Sequence, residues 1–421
     1  AGHFYTDKAI GSSLVAAAAY YPIHKITQIS GHKFRVWVET WLITFLVIGI
    51  PSAITGTLIF ILALYLSKSR IRSFFVTLAI ALGTMLFPFS VIFFGHTLAA
   101  FFLFSAFFLI YQIRIKPPGE NAGGFRLFLI GLLLGLALLT ETPTALIILI
   151  LVGYYFHVLH SRNMLKRFTA WLLPFVGGSI SVILILAYNL KVYGEPFALG
   201  YAYLVDPYYR EQMSKNIMGI GLPSLRVLFY ETLHPAQGIL WQSPVLLMTI
   251  VGGYQMWRKR EHRAELLVAG LVSVSYLVLM SGYFEWWGGH SFAVRHLIPM
   301  LPFLSLPLIF VPRKWFPVFI FLAVISTAQM LIVAASRATT PDKYLEQIDQ
   351  LGFFEYSTIY SDCLPRLLSG KFARNLGQAW LGLKTWASLA PLIAVLLGVI
   401  PVFAIGNQPS SSAATTNVVD Q

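Results

Sequence analysis

Apolar runs long enough to cross a bilayer constrain this chain more than any other feature of its sequence. A helix needs about 20 such residues to span the hydrocarbon core. Runs of that kind recur at roughly 43–66, 74–94, 96–112, 126–142, 144–160, 168–190, 239–257, 265–283, 296–311, 315–335 and 387–405. The hydrophobic share is 57% and the charged share 11%, too little charge to cover the surface of a soluble fold of 421 residues. The runs are continuous and do not alternate, which excludes a closed β-barrel, the other structure that satisfies backbone groups in lipid. The expected fold is therefore all-α, a polytopic transmembrane bundle of about eleven helices with long external loops.

Charge placement orients that bundle. Short basic loops recur on alternate connections: Lys68, Arg70 and Arg72; Arg114, Lys116 and Arg126; Arg162, Lys166 and Arg167; Arg258, Lys259, Arg260 and Arg263; Arg313 and Lys314. On that side the only opposing acids are Glu120, Glu261 and Glu265, whereas the other side balances its bases with acids in longer loops. Short Lys/Arg-rich loops stay in the cytoplasm. The formal net charge of +13 is thus a topology signal that also suits anionic headgroups, and no nucleic-acid partner is read from it.

The expected domain is a single membrane unit over 1–406, with external segments 1–42, 191–236, 284–295 and 337–385, followed by a disordered cytoplasmic tail at 407–421. Ile10 to Ile23 is apolar, partly amphipathic and too short to span, which suits a helix along the membrane surface. A short helix is expected within the last external segment. Eleven crossings ending in the cytoplasm place Ala1 outside, so a further segment is expected upstream of it. Cys363 is the single cysteine, so no intrachain disulfide is possible, and the histidines show no helix-spaced metal pair.

The unusual polar residues fall on the external side. His96 lies in FFGHTLAAFF and Glu141 in LLTETPTAL, each at an outer corner between two runs. Glu285, Trp286, Trp287, His290, Arg295 and His296 crowd the segment YFEWWGGHSFAVRH. Glu195, Asp206, Asp7 and Lys8 lie in external loops. Ionisable groups near the ends of membrane helices are costly and usually face a cavity or one another, so the pattern points to a site opening outward. Plainer roles stand beside that one: Trp286 and Trp287 as interfacial belt residues, His96 and Glu141 as helix-end chemistry, and Glu195, Asp206, Asp7 and Lys8 as solvated loop residues.

The segment GHFYTDKAIGSSL resembles the first external loop of bacterial polyprenyl-phosphate-dependent glycosyltransferases of the GT-C superfamily, which include protein mannosyltransferases and lipid A aminoarabinose transferases. Tyr5, Asp7, Lys8 and Gly11 fit that loop, and Ala9-Ile10 replaces its usual prolines. FFGHTLAAFFLFSAFFL, GLLLGLALLTETPTAL, YNLKVYGEPFALGY, GILWQSPVLL and WWGGHSFAVRHLIPMLPFL are also similar to members of the group, in the expected order over roughly 1–310. The resemblance implies an inverting transferase in a bacterial-type cytoplasmic membrane, with its site on the external, periplasmic side. The donor would be a polyprenyl-phosphate sugar among membrane lipids, and the acceptor a lipid, glycan or protein. Asp7 or Glu141 would be the catalytic base. Lys8 and Arg295 would contact phosphate, with His96 and His290 as polar partners. Tyr5, Trp286 and Trp287 would hold the sugar or flank the prenyl chain. The family's principal catalytic Asp lies early in its first external loop, a region expected upstream of Ala1, and His96 takes a position where an acid is common. No resident cofactor or tightly held metal is expected, with a loosely bound divalent ion compatible. Two other functions fit a polytopic chain of this composition: a transporter or flippase of lipid-linked saccharides, for which Gly177-Gly178, Pro51 and Pro88 are the hints of helix interruption, and a non-catalytic scaffold subunit.

Overall fold

The computed structural model describes residues 8–31, 34–117, 120, 122–198, 200–341, 344 and 350–405. Tyr5 and Asp7 lie outside the described residues, as does the tail expected from residue 407. The described chain is all-helical, with isolated β-bridges and no strand among the described residues.

Six helices are long and apolar enough to cross a membrane by length and composition. They are α2 (Val36–Ser67), α4 (Gly95–Ile115), α6 (Thr142–Ser161), α7 (Phe168–Tyr193), α10 (Arg260–Ser281) and α12 (Arg313–Ser336). Shorter elements lie between and around them: α1 (Gly11–Ser30), α3 (Arg70–Ala81), α5 (Gly124–Thr140), α8 (Leu225–Thr232), α9 (Met248–Arg258), α11 (Arg295–Ile309) and α13 (Ala390–Ile405).

Proline explains most of the differences from the apolar runs. The run at 74–94 is broken after Ala81 and resumes only as the single turn Leu86–Ser90, which contains Pro88. That at 239–257 is a turn, Ile239–Gln242, then a 3₁₀ segment opened by Pro244, then α9. Pro299 and Pro302 lie in a stretch where α11 is wound as a 3₁₀ helix, Arg295–Leu304. In α2 the π-turn Phe45–Gly49 precedes Pro51, and the extra residue in that turn absorbs the missing donor without ending the helix. This helix starts at Val36, so the first external segment ends before residue 42. The amphipathic segment forms α1, which runs on to Ser30 and buries Gly11 and Ile23.

α4 is the centre of the bundle: 72% of its membrane window is buried, against 17% for α7, which lies at the periphery. Phe104 and Phe107 pack on Phe303, and Phe107 also stacks on Tyr154, which joins α4, α6 and α11. Gly131 and Gly135 on α5 face Gly177, Gly178 and Ser181 on α7. A Cβ on Gly131 would strike the Pro174 carbonyl, and one on Gly177 the Phe128 carbonyl. Small residues four apart allow this approach, which is how membrane helices gain packing without a hydrophobic drive. Gly177-Gly178 is accordingly a packing seam in an unbroken helix, not an interruption.

Hairpin order puts the basic loops at one end. There Arg114 at the end of α4 donates to Glu265 at the start of α10, as does the Tyr154 hydroxyl from α6. Arg162 donates to the Pro117 carbonyl at 2.6 Å. His96, Glu141, Arg295 and His296 gather at the opposite end.

Candidate functional site

The opposite end holds a centre built from residues at helix ends. Phe94 is extended, and the chain then enters α4 through Gly95, so His96 sits in the first turn. Glu141 is also extended, at the break between α5 and α6, where Pro143 opens the next helix. Its carbonyl accepts from the Thr144 hydroxyl at 2.7 Å, which fixes the corner. His96 Nδ1 lies 3.2 Å from Glu141 Oε1. Gly95 makes this pair possible, because a Cβ there would stand 2.5 Å from the same carboxylate oxygen.

α11 brings the cation. The Arg295 guanidinium lies 4.9 Å from the centroid of the Phe94 ring, and the His296 ring meets His96 edge-on at 4.9 Å. The Tyr283 ring also meets His296 edge-on, at 5.6 Å. Arg295 Nε and His296 Nε2 are buried and lack a hydrogen-bond partner among the described residues. Gly11 at the start of α1 presses on the end of α5: its Cβ would stand 2.6 Å from the Leu139 carbonyl. Lys8 is thereby held close enough for its charge, with that of Arg295, to act on Glu141.

Of the residues expected from sequence, His96, Glu141, Arg295 and Lys8 thus come together. Trp286 does not sit in a surface belt: it is 4% exposed, 5.8 Å from Tyr230 and perpendicular to Trp287 at 6.0 Å. Its burial suits a structural prop better than a face for sugar stacking. Trp287 is half-buried, and His290 is exposed on a segment where its carbonyl accepts from the Thr340 amide at 3.0 Å. Asp206 caps a surface helix, Pro207–Ser214, accepting from the Tyr208 amide at 2.8 Å.

A second polar centre at this end escaped the sequence reading. Glu231 on α8 is fully buried, and neither carboxylate oxygen has a partner among the described residues. Gln237, Gln242 and Ser243, just beyond it in the chain, are also fully buried and carry unpartnered side-chain atoms. Burial raises the Glu231 pKa to about 9, so the carboxyl is neutral at pH 7. His234 Nδ1 accepts from the Ala236 amide at 3.2 Å, which leaves the proton on Nε2 to donate to the Gly352 carbonyl at 3.2 Å. Burial lowers the His234 pKa, opposed by the Gly352 and Leu351 carbonyls. The available signal was Glu231 in the apolar context LRVLFYETLH.

Chemically, the first centre offers a carboxyl–imidazole pair able to take a proton, two cations able to offset developing negative charge, an unpartnered donor on Arg295 and an unpartnered ring nitrogen on His296. Among the described residues no group of three His, Cys, Asp or Glu gathers as a metal site. Comparison with protein-family models, curated proteins and solved structures finds no match for the chain.

Proposed function

We propose that this protein is a membrane-embedded inverting glycosyltransferase that moves a sugar from a polyprenyl-phosphate donor to a hydroxyl of a lipid, glycan or protein. The observation that carries this reading is the meeting of His96, Glu141, Arg295 and Lys8 at one end of the bundle. With the basic loops in the cytoplasm, that end is external, and the shorter apolar helices complete a GT-C-like bundle of about eleven crossings. Residues 1–406 form this one membrane domain, in a bacterial-type inner membrane.

The Glu141–His96 pair removes the acceptor's hydroxyl proton as its oxygen attacks the anomeric carbon. The bond from that carbon to the phosphate oxygen breaks on the opposite face, its electron pair leaving with the polyprenyl phosphate. Arg295 and Lys8 offset the charge that develops there. Attack opposite the leaving group inverts the anomeric centre.

The test is transfer from a radiolabelled polyprenyl-phosphate sugar by full-length protein in membranes. Glu141→Gln and His96→Ala should lower the rate by about 10²–10⁴-fold, the usual worth of a positioned base. Arg295→Ala should lower it too, and Asp7→Asn measures the share of the other candidate base. Unchanged transfer by all of these variants at equal yield would remove the assignment.

The broken helices favour a second reading, a carrier of lipid-linked saccharides, since carriers often bind substrate at discontinuous helices. Interruptions at 82–94 and at Ser243 are of that kind. Substrate-dependent flux across proteoliposomes without transfer would select it.

A further inference from the structure

The bundle's other end carries a cavity. It has a volume of about 650 Å³ and opens where α2 turns into α3, between the ends of α9 and α11 and the start of α12. Three cationic side chains line it, Arg72, Lys259 and Arg313, and no acidic side chain does. Like charges gathered around one cavity repel, so the arrangement is favourable chiefly when an anion enters.

Arg72 is anchored in the wall. Its Nη1 donates to the Ile309 carbonyl at 2.9 Å and the Val311 carbonyl at 2.5 Å. The guanidinium also lies 5.3 Å from the Phe316 ring centroid. Lys259 lies 5.2 Å from the Phe310 ring centroid. Carbonyls and ring faces orient these cations without neutralising them. The amino end of α3, with Ser69 as its cap, borders the same space and adds the positive end of a helix dipole.

The rest of the lining is mixed. Leu66, Ile71 and Phe316 supply apolar surface beside Ser67 and Gln255. A free phosphate needs no apolar wall; a phospholipid presents a phosphate and, joined to it, an acyl-glycerol body. The volume falls in the range of small-molecule sites, about 300–1,000 Å³.

We propose that this cavity binds a phosphate-bearing anion, and that its lining favours the headgroup of an anionic phospholipid over soluble phosphate. The site is separate from the transfer centre and does not depend on the proposed activity.

The test is native mass spectrometry of the full-length protein in detergent, titrated in separate arms with phosphatidylglycerol, phosphatidylcholine and inorganic phosphate. Lys259→Gln/Arg313→Gln removes two cations and leaves Arg72 and its carbonyl bonds in place. Arg162→Gln/Lys166→Gln removes the same charge from a loop that does not line the cavity, and thermal melts establish that both variants fold. Phosphatidylglycerol should bind in preference to phosphatidylcholine and weaken about 30-fold in the cavity variant, roughly fivefold per basic residue, while the control variant binds as wild type. Binding of inorganic phosphate without lipid preference, lost in the cavity variant alone, would support the anion site and assign it to soluble phosphate. Equal weakening in both double variants, or a wild type that neither prefers phosphatidylglycerol to phosphatidylcholine nor binds inorganic phosphate, overturns the proposal.

Discussion

Glu231→Gln isolates the buried carboxyl of the second centre. Burial holds its folded pKa at about 9 against a reference of 4.5. A carboxyl with a raised folded pKa keeps its proton in the folded chain while the unfolded chain loses it. Stability therefore falls as pH rises between those two values, by up to about 1.4 kcal/mol per unit. From pH 5.5 to 7.5 the wild type should lose about 3 kcal/mol through this group, and the glutamine variant should not. Other titrating groups act equally in both proteins and cancel in the difference. For a chain of this size about 1–2 °C accompanies each kcal/mol, so the Tm of the variant minus that of wild type should rise by roughly 3–6 °C. Thermal melts of both proteins in one detergent at the two pH values measure it. A difference that stays constant, or falls with rising pH, refutes the reasoning and means that the folded protein carries Glu231 ionised.

The α5–α7 seam gives a paired stability test. Gly131→Ala should lower stability by about 1–3 kcal/mol, because its Cβ meets the Pro174 carbonyl, whereas Gly153→Ala, with nothing within 4 Å, should be neutral or gain up to about 1 kcal/mol. Equal melting shifts would show that the seam has room. Gly95→Ala should push Glu141 away from His96 and reduce sugar transfer while leaving the melting temperature within about 1–2 °C of wild type; full transfer would show that the pair is not needed. Cys363 is buried and its thiol is pushed up to about 11, so at pH 8 its thiolate fraction is about 10⁻³ and alkylation should be at least 100-fold slower than for a free cysteine. Rapid labelling of folded protein would contradict that burial.

Hydropathy made the long helices legible because α4, α7, α10 and α12 each coincide with an uninterrupted apolar run. It could not separate helix from broken helix. Pro88, Pro244 and Pro299 lie in stretches as apolar as any span, and hydropathy does not register a missing amide donor. α2 starts earlier than its apolar run, with Glu39 in its first turn, where the helix dipole favours an acid. His96, Glu141 and Arg295 stood out as ionisable groups in apolar surroundings, but their convergence rests on contacts between distant helix ends. Glu231 was hidden for a related reason. The segment around Leu351 covers α8, through the Tyr230 hydroxyl donating to the Leu351 carbonyl at 2.8 Å, and that contact spans 121 residues of chain.

The two polar centres differ in what holds them. His96, Glu141 and Arg295 sit at the ends of packed helices, and α4 is the most buried span. Their spacing is therefore set by bundle packing, which suits a reaction that tolerates little misplacement of its base and cations. Glu231 is instead buried on α8 between Tyr230 and His234, which bond to the carbonyls of Leu351 and Gly352, and its neutral carboxyl carries no charge with which to steer a phosphate. A neutral acid can donate a hydrogen bond but cannot serve as a base near pH 7 until it loses its proton. Burial also raises Glu141, but Arg295 and Lys8 oppose it and hold its pKa at about 7, so near pH 7 a large share is ionised. For proton removal beside a phosphate leaving group it is the better equipped of the two, and the transfer assay should respond to Glu141 before Glu231.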